Sequence, residues 1–130
     1  MKTVPIGTRH EMEQTVEFKH TLTFHHPQLP EVFSTPDMIR LMETAAFFLL
    51  EPYCEGDEIS VGTAINIEHL AASGVGARIR CEAALESFDG KFYAFRVRCW
   101  EGEKEVGRGT VGRAIVNVVR FMAKLKKMAV

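Results

Sequence analysis

Several things that would narrow the function of this 130-residue chain are missing from it. There is no excess of either charge: 16 Lys and Arg face 17 Asp and Glu, for a formal net charge of -1. That gives no reason to expect nucleic acid or an acidic membrane as the main partner. There is no long hydrophobic run. The longest, Ala45 to Leu50, falls far short of the roughly 20 apolar residues that a bilayer-spanning helix needs. The opening stretch MKTVPIGTRHEMEQTV carries no apolar core of the kind an export signal requires, so a cytoplasmic protein is the expectation. Cysteine is scarce. Cys54, Cys81 and Cys99 are odd in number, widely spaced and without a CxxC pair, which argues for reduced thiols over a disulfide framework or a zinc site. Cys99, inside FRVRCW, reads as a packing residue, and no cysteine clearly sits near positive charge at a helix start, where a thiolate would be favoured. His25 and His26 precede a proline in what reads as a solvated loop or the rim of a pocket; two histidines alone do not make a metal site, and none is expected. Internal repeats and low-complexity segments are also absent.

What remains is an ordinary globular composition, 46% apolar and 25% charged, in a length that suits one domain over residues 1–130. The stretch STPDMIRLMETAAFFLLEP, 34–52, predicts a helix over 36–51. Thr35 reads as a hydroxyl N-cap followed by Pro36 at the first helical position, and Pro52 marks the stop. The helix is too apolar to lie on a surface. Residues 11–24 show an alternation, Val16, Phe18, His20, Leu22, Phe24, that predicts a strand. Four further strand patterns follow at 59–71, 77–88, 91–101 and 104–119, with turns at SGVG, at the Asp-Gly of FDGK and at EGEK. Gly107, Gly109 and Gly112 interrupt the last of them and suggest a bulge or a close backbone approach. One strand, one long apolar helix and an antiparallel run predict an α+β domain whose sheet curls round the helix and pairs with a second copy. The tail, 117–130, places apolar residues at helical spacing beside Arg120, Lys124, Lys126 and Lys127 with no acid. The plain reading is a docked or frayed helix with a solvated basic face, a contact with an anionic ligand or lipid being the lesser one.

Against that background two residues stand out. Glu43 is a carboxylate halfway along the greasy helix, at the edge of a polar arc that could simply face solvent or a subunit boundary. His69 ends the row Ile59, Val61, Thr63, Ile65, Ile67, which alternation turns inward, away from Gly62, Ala64, Asn66 and Glu68. A buried histidine needs a hydrogen-bond partner, and the carboxylate or the hydroxyl at the helix start could be one. A threonine, a glutamate and a histidine have the roles needed to handle water and a carbonyl, although periodicity does not bring them together.

STPDMIRLMETAA, VGTAINIEHLAASGVGARI and GRGTVGR, in this order and at these separations, resemble the fluoroacetyl-CoA-thioesterase-like family of hotdog-fold proteins, over roughly residues 16–116. The resemblance implies the hotdog fold, an antiparallel sheet wrapped round a long central helix, as a homodimer or higher oligomer with acyl-CoA at the subunit boundary. It implies a catalytic set of Thr35, Glu43 and His69, a ligand approach at Gly62 and Thr63, and a substrate-binding role for Arg113. Before that arginine the chain departs from the family pattern, carrying Val111 and Gly112 where a His and an acid are common. The loop HHPQLPEVFS does not match the family's pocket lid, so fluoroacetyl selectivity does not carry over. The expected activity is hydrolysis of a short or medium acyl-CoA, without a cofactor beyond the coenzyme A of the substrate. Hydration or dehydration of an acyl-CoA, and non-catalytic acyl-CoA binding, are its rivals.

Overall fold

The computed structural model describes residues 1–129; Val130, the end of the expected tail, lies outside them. The element order is β1 (Arg9–Thr15), a short α1 (Leu22–His25), the long α2 (Thr35–Leu50), then β2 (Glu58–His69), β3 (Arg78–Phe88), β4 (Phe92–Glu101), β5 (Lys104–Asn117) and a terminal α3 (Val118–Met128). The five strands form one antiparallel sheet in the order β1-β3-β4-β5-β2, leaving β1 and β2 as its edges. The hairpins close where the sequence signals them. Asp89 Oδ1 accepts from the amides of Lys91 and Phe92 at 2.9 and 2.7 Å.

The sheet covers α2. One face of that helix (Met38, Leu41, Met42, Ala45, Ala46, Leu49, Leu50) is buried against Ile79, Leu85, Phe95, Val97 and Val111 of the strands. Complete burial of side chains such as Met38, Met42 and Leu50 contributes about 2 kcal/mol each. One glycine of β5 serves this packing: a Cβ on Gly107 would lie 2.5 Å from Met38 Sδ. Cys81 and Cys99 face each other across β3 and β4, free and fully buried.

Three sequence expectations need correction. The strand expected over 11–24 ends at Thr15. Beyond it Val16 is buried, the chain turns through a 3-10 turn at Phe18–His20, and Thr21 accepts from the Phe24 amide at 3.3 Å to start α1, leaving Phe18 and Phe24 exposed. The helix starts one residue early, because Ser34 is its N-cap, with Oγ accepting from the Asp37 amide at 3.1 Å. Thr35 is therefore inside the first turn. The third concerns β2. Its pairing with β5 slips between Gly62 and Ala64, so Thr63 is an extra residue and the alternation changes face there. Gly62, expected on the outer face, meets the helix instead, and Ile65 is exposed.

Candidate functional site

The shift of the N-cap from Thr35 to Ser34 frees the threonine hydroxyl. Thr35 Oγ1 lies 2.8 Å from Nδ1 of His69, joining the start of α2 to the end of β2. The imidazole also makes an edge-on contact with Phe33, the ring centroids 6.5 Å apart. Its other nitrogen, Nε2, is buried and makes no well-formed hydrogen bond among the described residues. Burial pushes His69 below the ordinary imidazole range, against a smaller opposing pull from the backbone at Ala71, so the ring is neutral near pH 7. Beside this pair lies an open cavity of about 370 Å³, lined mainly by apolar groups that include Leu22, Val32, Phe33 and Leu70.

Glu43 belongs to a second grouping two turns further along α2. Its Oε2 stands 3.4 Å from a terminal nitrogen of Arg113, whose remaining donors go to Ser60: Nε to the hydroxyl at 2.8 Å and the other terminal nitrogen to the carbonyl at 3.0 Å. Arg113 is almost wholly buried, and burial draws its pKa down while Glu43 holds it up. The other carboxylate oxygen, Oε1, is buried without a hydrogen-bond partner among the described residues. Gly62 is what admits the carboxylate, since a Cβ there would lie 2.6 Å from Oε2. Around Glu43 and Gly62 the bulge residue Thr63, with Ala64 and Ile65, lines an open depression of about 400 Å³.

Two half-sites thus lie on one chain, Thr35 with His69 and Glu43 with Arg113. Sequence reasoning missed Ser60, which carries the guanidinium; a serine one turn of alternation before a glycine gives no signal of its own. Arg113, expected against the ligand, is enclosed between Ser60 and Glu43. Among the described residues no group of three or more His, Cys, Asp or Glu could hold a metal ion. No helix of the described chain is long and apolar enough to cross a membrane.

A five-stranded antiparallel sheet over one long helix, superposing on solved hotdog thioesterases, defines a hotdog-fold thioesterase. The chain belongs to the fluoroacetyl-CoA-specific thioesterase family, whose model matches residues 16–119. It is 39% identical to the fluoroacetyl-CoA thioesterase of Streptantibioticus cattleyicolor over 100 residues, which is 77% of this chain and 72% of that protein. The solved structure of the fluoroacetyl-CoA thioesterase FlK superposes with a TM-score of 0.91 at 33% identity, covering 97% of this chain and 98% of that one. A mutant of that enzyme in complex with fluoroacetate and CoA gives 0.83 at 34% identity, over 91% of this chain and 99% of the other. A thioesterase superfamily member from Thermus thermophilus reaches 0.92 at 25% identity, over 99% and 96%. The protein is a thioester hydrolase.

Proposed function

We propose that the chain hydrolyses the thioester of a short or medium acyl-CoA with Thr35, Glu43 and His69. Water adds to the thioester carbonyl, the C–S bond breaks, and the leaving thiolate takes up the proton that the water gave. Glu43 activates the water as general base, or attacks first to give a mixed anhydride that water then opens. His69, neutral at working pH, moves the proton to coenzyme A, and Thr35 holds the ring and the substrate in register. Backbone N–H groups at Gly62 and Thr63 are the donors for the developing oxyanion, where one preorganised donor is worth roughly 3 kcal/mol of barrier. Arg113 acts through Glu43 as a positioning residue. No cofactor is needed beyond the coenzyme A that the substrate carries.

One observation carries this reading. Among the described residues four buried side-chain polar atoms make no well-formed hydrogen bond, and two of them, Glu43 Oε1 and His69 Nε2, belong to these two groupings. Such groups cost free energy, and a catalytic role is one reason for a fold to keep them. The apolar cavity beside Thr35 and His69 supports an aliphatic acyl group as occupant.

The site is composite in this proposal, formed in a homodimer. Thr35 and Glu43 lie on one helix eight residues apart, or about 12 Å at 1.5 Å per residue, too far for both to touch one small group. Edge strand β2 exposes Gly62 to Asn66 beside Glu43, and a second copy laid along it brings one chain's Glu43 towards the other's Thr35 and His69.

A panel of acyl-CoA thioesters read with a thiol reagent, run beside an enoyl-CoA absorbance assay, tests the proposal. Thiol release that peaks on short or medium chains supports it. Absorbance change without thiol release means a hydratase, and binding without either means a carrier.

A further inference from the structure

The sequence reads the tail as a docked or frayed helix with a solvated basic face; in the structure α3 is formed and leans on the end of β5. It is regular from Val118 to Met128, and its start is fixed. Asn117 accepts from the Arg120 amide at 3.0 Å, and the Val118 amide donates to the Asp57 carbonyl at 2.8 Å. Within the chain it packs chiefly on β5, and none of its residues is buried. Phe121, Met122, Leu125 and Met128 are between 43% and 70% exposed. At helical spacing these four and Val118 share an arc of about 120°. Arg120 and Lys127 occupy the opposite side, and Lys124 and Lys126 flank the arc at its two borders. Among the described residues none of the four cations forms an ion pair with an acid, and the helix contains no acid.

We infer that α3 is a surface anchor that lays its apolar arc into the headgroup region of an anionic lipid bilayer. A short helix with Phe, Leu and Met on one side and Lys and Arg on the other is the composition that partitions into that interface, held by buried apolar area and by attraction to acidic headgroups. The same helix of a second copy fits less well, because it would bring four more cations and no acid to pair with them. The anchor does not depend on the reading of the catalytic site. The proposal departs from the expectation of no membrane partner, in peripheral contact alone.

The test is co-sedimentation of the full chain with phosphatidylcholine vesicles and with vesicles containing phosphatidylglycerol. Two surface variants are run in parallel, Lys124→Glu/Lys127→Glu and Met122→Gln/Leu125→Gln, with melting curves to show that they fold. The wild type should bind the anionic vesicles, and each variant should bind at least about tenfold more weakly. Salt at roughly 0.5 M should weaken the wild type further. Failure of the wild type to sediment, or equal binding by all three proteins, overturns the anchor. So does a drop in solution mass caused by Met122→Gln/Leu125→Gln in a wild type that ignores vesicles, which gives the arc to a second copy.

Discussion

Thr35 Oγ1 and His69 Nδ1 lie 2.8 Å apart, although 34 positions separate them in the chain. The contact exists because the helix is capped by its neighbour. Ser34 accepts the first-turn amide and also bonds the Asp37 carboxylate, so the threonine hydroxyl has no duty to the backbone. Two adjacent hydroxyls at one helix start thus divide the work, one structural and one facing the histidine.

That division can be measured. Ser34→Ala should cost about 1 kcal/mol of stability, the usual loss for an N-cap, and leave turnover largely intact. Thr35→Ala should do the reverse, lowering kcat with little change in the denaturation midpoint, while Thr35→Ser restores most of the rate. If Thr35→Ala destabilises as much as Ser34→Ala and leaves kcat alone, the Thr35–His69 contact is packing.

Why sequence assigned the cap to the wrong hydroxyl follows from local pattern. Thr-Pro and Ser-Thr are both acceptable starts, and only backbone geometry separates them. The helix itself and four of the five strands were legible to within about two residues, since each has strong periodicity and a signalled turn. The first strand was over-extended because Phe18, His20, Leu22 and Phe24 alternate by accident; Phe18 and Phe24 spend that alternation on the surface. The bulge at Thr63 left no mark in composition, yet it turns Gly62 towards Glu43. The pairing of Arg113 with Glu43 spans 70 positions, and pairwise contact at that separation is written in no local pattern. Glu43, His69 and Arg113 could be singled out from sequence, but not who touches whom.

Histidine 69 makes stability depend on pH in a definite direction. Its folded pKa is lowered by burial, against only a smaller upward pull from the backbone at Ala71. Unfolded, the ring titrates near 6.5. Below that value the unfolded chain binds the extra proton more readily than the folded one, so stability is full above about pH 6.5. It declines as the pH falls towards the folded pKa and levels off beneath it. Melting curves between about pH 7.5 and 5 should show this slope in the wild type and a shallower one in His69→Gln. Identical slopes would mean that the ring is not desolvated.

Arg113 contacts Glu43 and Ser60, and holding the carboxylate or holding the substrate predicts different kinetics. Arg113→Leu strands Glu43 and removes both bonds to Ser60, which should destabilise the fold by roughly 3 kcal/mol in chemical denaturation. Arg113→Lys keeps the charge but not the planar fork, so it should lower kcat by letting the carboxylate wander while KM for acyl-CoA barely moves. A large rise in KM with unchanged kcat would make Arg113 a ligand of coenzyme A.

The carboxylate itself is tested from two sides. Glu43→Gln keeps size and hydrogen-bonding reach but removes charge and basicity, so turnover should fall by at least about 10²-fold while acyl-CoA still binds. Gly62→Ala leaves Glu43 in place chemically and displaces it physically, because the new Cβ would stand 2.6 Å from Oε2. The atom that must yield is the end of a flexible side chain, so the melting temperature should shift little while kcat drops. Both variants losing rate with the fold intact fixes the chemistry on a correctly placed carboxylate. Wild-type turnover in Glu43→Gln, on the best thioester of the panel, would reduce Glu43 to the counter-ion of Arg113 and move the search for the base to Thr35 and His69.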